Sequence, residues 1–142
     1  MAREIEHINW PDAPDVWMPY APAIKTKGGT MVFIAGVTAA PVYHSHPHIP
    51  AEFATMPDDM EGQAKATLDN LKKSLDAVGA TFADVVVANR FLTDLSQQDT
   101  LNKVWNAYVG EYKPTTTTVQ VVKSAIALIS TRHRGSVANF TT

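Results

Sequence analysis

The sequence predicts an α+β fold, with two helices packed on one mixed six-stranded sheet, and three observations lead there. Two segments carry apolar residues at helical spacing, Met60–Val78 and Leu101–Tyr108. Runs rich in β-branched residues separate and follow them, at Val85–Val87 and Thr115–Val122. A length of 142 residues with 45% apolar and 18% charged residues suits one domain with a real core, assigned to 1–142.

The elements follow in order. Residues 1–16 form an extended N-terminal segment. Pro11 and Pro14 in it, with Pro19 and Pro22 just beyond, each remove a backbone donor, and a short strand is added near Ile5. Ala23–Lys27 and Thr30–Val37 flank Gly28-Gly29, a pair that tolerates positive φ, and so read as a hairpin. Met31–Ala35 is apolar on both faces, which predicts a strand buried within the sheet. Residues 38–57 are a His/Pro-rich loop, long enough to suggest a functional one. The first helix starts after Pro57 with Asp58, Asp59 and Glu61 at the positive end of its dipole, and Gly79 closes it. A strand at Asp84–Leu92 precedes a second helix, which Ser96 and Asp99 would cap and Gly110 would end. Thr115–Val122 and Ile126–Thr131 are the closing strands, with a polar tail from Arg132 onward.

Charge narrows the function. Twelve Lys and Arg against 14 Asp and Glu give a net −2, with no basic stripe to hold nucleic acid. The absence of Cys removes disulfides, thiolate nucleophiles and thiolate metal sites. No apolar stretch reaches a membrane span and Met1–Trp10 is no signal segment, so the expected protein is cytoplasmic, without membrane or nucleic-acid partners. Two helices cover only one face of the sheet, and the economical cover for the other is a second copy of the chain.

Several strings in this order resemble the RidA/YjgF family: Pro19-Tyr20, Ile34-Ala35-Gly36, Asp69-Asn70-Leu71 closing at Val78-Gly79-Ala80, Asp84-Val85-Val86, Phe91–Leu95, Leu101–Trp105, and Pro114 before a β-branched strand. The resemblance covers roughly residues 17–132. It implies a chorismate-mutase-like architecture and a homotrimer with clefts at the subunit interfaces. There the deaminating members hydrolyse enamines and imines without metal or organic cofactor. In them an Arg two residues after the Pro grips the substrate carboxylate and a Glu on the final strand helps to position water. Here Thr116 stands at the Arg position, Ile126–Thr131 contains no Glu, and Ala35 replaces the usual Ser before the Gly. Tyr20, Gly36 and Asn102 match the family, and Thr118 falls at a cleft-lining position.

With the family anchor missing, Arg90 is the first substitute cation. An interior strand charge needs a partner: a ligand anion, or Asp94 or Glu111 across a subunit seam, unless the side chain points to solvent. His44, His46 and His48 alternate along one side of an extended segment; with no acid in the run they suit a cleft-lining acid or base, His46 above all, better than a metal. Glu52 is the candidate replacement acid, while Glu61 fits a helix N-terminus and Glu111 a solvated turn. Among the aromatics, Phe91 at a strand end is the candidate for stacking on substrate, ahead of Tyr43 and Trp17, and Trp105 fits the core. Thr116 and Thr118 share one sheet face and could hold a polar ligand. The function expected is therefore a cofactor-free hydrolase of the enamine/imine type. Asn102, Glu52 and His46 would be catalytic, and Tyr20, Gly36, Arg90, Phe91, Thr116 and Thr118 would bind the substrate. The alternative is a trimer that binds a small metabolite without turning it over.

Overall fold

The computed structural model describes residues 3–41, 47, 49–123 and the backbone of 137–141. Two helices, α1 (Met60–Ala77) and α2 (Gln98–Val109), pack on a small mixed sheet, and the fold is α+β as expected. The strands are β1 (Glu4–Ile8), β2 (Ala23–Lys27), β3 (Val37–Thr38), β4 (Val87–Leu92), β5 (Thr115–Gln120) and β6 (Val137–Thr141). Among the described residues they divide into a two-stranded sheet, β1-β2, and a four-stranded one of order β3-β6-β4-β5, where a single six-stranded sheet was expected. Strand β4 runs parallel to β5 and antiparallel to β6.

Helix α1 follows its sequence signals closely. The Asp59 carboxylate accepts from the Gly62 N–H at 2.8 Å, satisfying one of the orphan donors of the first turn. At the other end Gly79 has φ +70°, its N–H bonds to Asp76 O, and the Ala80 N–H reaches back to Leu75 O at 2.9 Å. Those two bonds make a Schellman motif. Ala64, Leu68, Leu71 and Leu75 form the buried stripe and meet Leu101, Val104, Trp105 and Val109 of α2 over Val85, Ala88 and Leu92.

Gly62 is required there by packing. A Cβ built on it would lie 2.5 Å from Pro57 Cβ, closer than side chains approach one another. Gly62→Ala should therefore destabilise by about 1–2 kcal/mol: an overpacking cost of about 1–3 kcal/mol outweighs the gain of somewhat under 1 kcal/mol from helix propensity. A urea melt would show it, and a rise in stability would contradict it.

The two helices are also tied at their surface. The Tyr108 hydroxyl donates to Asp69 Oδ1 at 2.8 Å, and the Tyr108 ring meets Phe82 edge-on. Burial first, then the Asp69 charge and hydrogen bond, push the phenol up to about 12. The fold thus favours the neutral phenol, a contribution complete below about pH 10 and lost as pH rises through 12. In a tyrosinate absorbance titration one of the four tyrosines should ionise late, and Tyr108→Phe should remove that step.

Five local expectations need correction. Gly28 and Gly29 do turn the chain, with φ 72° and 74°, but β2 pairs antiparallel with β1, not with Thr30–Val37. Within Met31–Ala35 only Phe33 makes a bridge, and Val32 and Ile34 are half-buried while Met31, Phe33 and Ala35 are exposed. One face of that segment is covered by this chain and the other is left open. The strand expected from Asp84 begins at Val87, because Thr81 and Asp84 form a capping box around a 3-10 turn at Phe82–Asp84. Before α2, Asp94 and not Ser96 does the capping, accepting from Ser96 N and Oγ at 3.0 and 2.7 Å. Finally, Val137–Thr141, read as polar tail, is β6 and lies between β3 and β4; the strand expected at 126–131 lies outside the described residues.

Candidate functional site

Alternation along β4 and β5 sorts the candidate residues by face. In β4, Ala88, Arg90 and Leu92 are buried beneath the helices, while Val87 and Asn89 are exposed and Phe91 is half-buried on the other side. The parallel register sets Ala88 beside Thr116, Arg90 beside Thr118 and Phe91 beside Val119. Thr116 and Thr118 therefore share a face, as expected, and it is the face that carries Arg90. Phe91 is on the opposite face and does not join them.

Arg90 is the centre of this cluster. It is only 4% exposed, yet its Nε donates to Thr118 Oγ1 at 3.0 Å and its Nη1 to Asn102 Oδ1 at 2.9 Å. The guanidinium also stands 5.5 Å from the centre of the buried Trp105 ring, an arrangement in which the ring face attracts the cation. Burial lowers its pKa to about 10, which leaves it charged at neutral pH. Within the chain neither Asp94 nor Glu111 pairs with it: none of the ion pairs among the described residues involves Arg90.

Tyr20 comes close to the same strand. The N–H of the next residue, Ala21, bonds to Pro114 O at 3.0 Å and so holds Tyr20 at the start of β5. Thr116 Oγ1 is turned back onto Pro114 O at 3.1 Å. Tyr20, Thr116, Thr118, Arg90 and Asn102 thus occupy the β5 edge of the sheet.

Gly36 and Glu52 are at the opposite edge. Gly36 immediately precedes β3, and Glu52 sits in a 3-10 turn (Pro50–Phe53) whose Phe53 packs with Met56 and Ala39, just past β3. Between β3 and β5 lie β6 and β4, three strand spacings or about 14 Å. No single chain brings these two groups together. His44, His46 and His48, with Tyr43, lie outside the described residues. Trp17 is engaged elsewhere, its Nε1 donating to Asn106 Oδ1 at 3.0 Å and its ring facing Lys113.

Sequence reasoning had singled out Arg90, Asn102 and Thr118 separately but not their mutual bonds, and it missed Trp105 as the platform beneath Arg90. An interior-strand charge opposite a helix stripe that carries Trp is the signal that could have linked them. Among the described residues no group of three or more His, Asp or Glu could hold a metal ion, and no helix is long and apolar enough to cross a membrane.

Two helices on one face of a small mixed sheet, with polar groups divided between its two edges, define a small two-layer α+β protein. The chain belongs to the family described as Endoribonuclease L-PSP, whose model matches residues 11–127. It is 34% identical over 121 residues to protein DfrA of Myxococcus xanthus, covering 85% of each chain. It is 29% identical over 116 residues to Reactive Intermediate Deaminase A, chloroplastic, of Arabidopsis thaliana, covering 82% of this chain and 57% of that one. Among solved structures, YyfB of Yersinia pestis, from the conserved Rid protein family, superposes with a TM-score of 0.72 at 20% identity over 96% of both chains, a likeness of fold.

Proposed function

We propose that this chain is a cofactor-free hydrolase of the enamine/imine deaminase type, acting on a small or conjugated metabolite in a cleft shared between copies of a homotrimer. The observation that carries the reading is the division of the candidate residues between opposite edges of one sheet. Tyr20, Asn102, Thr116 and Thr118 sit on the β5 edge, and Gly36 with Glu52 on the β3 edge. An edge-to-edge meeting of two copies places one group against the other. The similarity to a protein named a reactive intermediate deaminase supports the chemistry. In this reading a water is held by backbone groups near Gly36 and the Thr116 strand, with Asn102 and Tyr20 shaping the cleft. Glu52 and His46 are the acid–base candidates.

Thr116 in place of Arg, together with the absence of Glu from 126–131, favours the second reading: a metabolite-binding trimer without turnover. The two are separated by ammonia release from 2-aminoacrylate-type intermediates and from ring-cleavage enamines. The hydrolase reading expects release above background for at least one of them. Thr116→Arg should then raise the rate on carboxylate-bearing imines tenfold or more, since a bidentate charged bond replaces a neutral hydroxyl. No release by either form would leave the binding reading standing.

A further inference from the structure

Among the described residues one buried cation, Arg90, has no counter-charge. All 14 Asp and Glu residues lie among the described residues, and none forms an ion pair with Arg90. The groups that do touch it are neutral: a hydroxyl, an amide oxygen and an aromatic face. Buried charges are normally paired, because desolvating one costs several kcal/mol and neutral hydrogen bonds return only part of that.

The polar surroundings are also one-sided. Arg90 carries five N–H groups, and two bonds to Thr118 and Asn102 use two of them. Asn102 turns its oxygen to Arg90, so its Nδ2 donors stay close by, and they have no acceptor among the described residues. Thr118 Oγ1 accepts from Arg90 and keeps its own hydrogen to donate. Donors converge, and no acceptor among the described residues is left to meet them. Arg90 is sealed in, whereas Asn102 on the facing helix and Thr118 on the edge strand are only half-buried, so these two are the members of the cluster that an outside group can reach.

We propose that Arg90, Asn102 and Thr118 form an anion-binding site, without an acid among the described residues to balance it and completed by a planar oxyanion of carboxylate size. The site lies one strand over from Thr116 and on the same face, so that β4 supplies the cation that β5 lacks. That its occupant is the acid group of a substrate rests on the hydrolase reading. That it binds an anion rests on the charge accounting alone.

The test is thermal stability and calorimetric binding with acetate, formate, phosphate and chloride at constant ionic strength, for the wild type, Arg90→Met and Arg90→Lys. The wild type should show saturable stabilisation by the carboxylates. Arg90→Met should lose at least tenfold in affinity, as expected for a charge-assisted bond, and Arg90→Lys should recover part of it. Preference for phosphate or chloride over the carboxylates would assign the site to an inorganic ion and overturn the carboxylate-sized occupant. No saturable effect of any anion, or equal effects in the wild type and Arg90→Met, would overturn the site itself. Anion binding without ammonia release would remove the hydrolase reading and leave this one intact. Ammonia release unchanged in Arg90→Met would overturn the assignment of the occupant as the acid group of the substrate and leave the hydrolase reading intact.

Discussion

Replacing Trp105 by alanine is expected to cost about 3–5 kcal/mol, the range for removing a large aromatic from a close-packed core. Trp105 is 1% exposed and sits where α1, α2 and β4 meet, among Leu68, Leu71, Val104 and Leu92. Its loss also strips Arg90 of the ring face 5.5 Å away and leaves the guanidinium beside a void. With single-domain stabilities of about 5–15 kcal/mol, the variant should be close to unfolded at 37 °C or so in ordinary buffer. Trp105→Phe keeps an aromatic face and most of the volume and should recover more than half of the loss. Trp17→Ala is the control, because Trp17 is half-exposed and its bond to Asn106 lies at the surface. Denaturant melts of the three variants decide the matter. A Trp105→Ala cost no larger than that of Trp17→Ala would contradict the core described above.

What the sequence revealed and what it concealed divide along physical lines. Helix α1 was legible almost to the residue, since its cap, its stripe and its Gly79 stop all act within a few positions of one another. The interior of β4 was legible too, through the clash between a charge and the apolar residues around it. Strand pairing was not. Nothing local says that β2 takes β1 as its neighbour and leaves Thr30–Val37 apart, because that choice depends on segments some twenty residues apart in sequence competing for one edge. Strand β6 was hidden for a related reason: Val137–Thr141 alternates weakly and follows two arginines, so composition pointed to a tail. For the site, residue types were legible and positions were not. Phe91 and Arg90 are adjacent in sequence and therefore opposite in space, a consequence of the two-residue period of a strand that a list of candidates does not display.

Val87, Asn89, Phe91, Thr115, Thr117 and Val119 form the side of β4 and β5 turned away from the helices, with Val87 and Val119 36% and 40% exposed. Phe33, 79% exposed, adds a large apolar surface that this chain does not cover. An apolar sheet face of this kind is stable in water when another copy covers it. Val119→Glu places one carboxylate per copy on that face, where burial without a cation costs several kcal/mol for each. The wild type should sediment as a trimer and Val119→Glu as a monomer, with ammonia release lost in the variant while its helical circular dichroism persists. A monomeric wild type, or a variant that still assembles, would refute the shared cleft. Complementation gives the sharper result. Gly36→Val damages the β3 edge and Thr118→Val the β5 edge, so each homotrimer should be inactive, whereas trimers mixed from the two contain some clefts built from two intact edges. Recovery of a fraction of wild-type activity on mixing is the outcome expected of a site divided between copies. A site contained in one chain would show none.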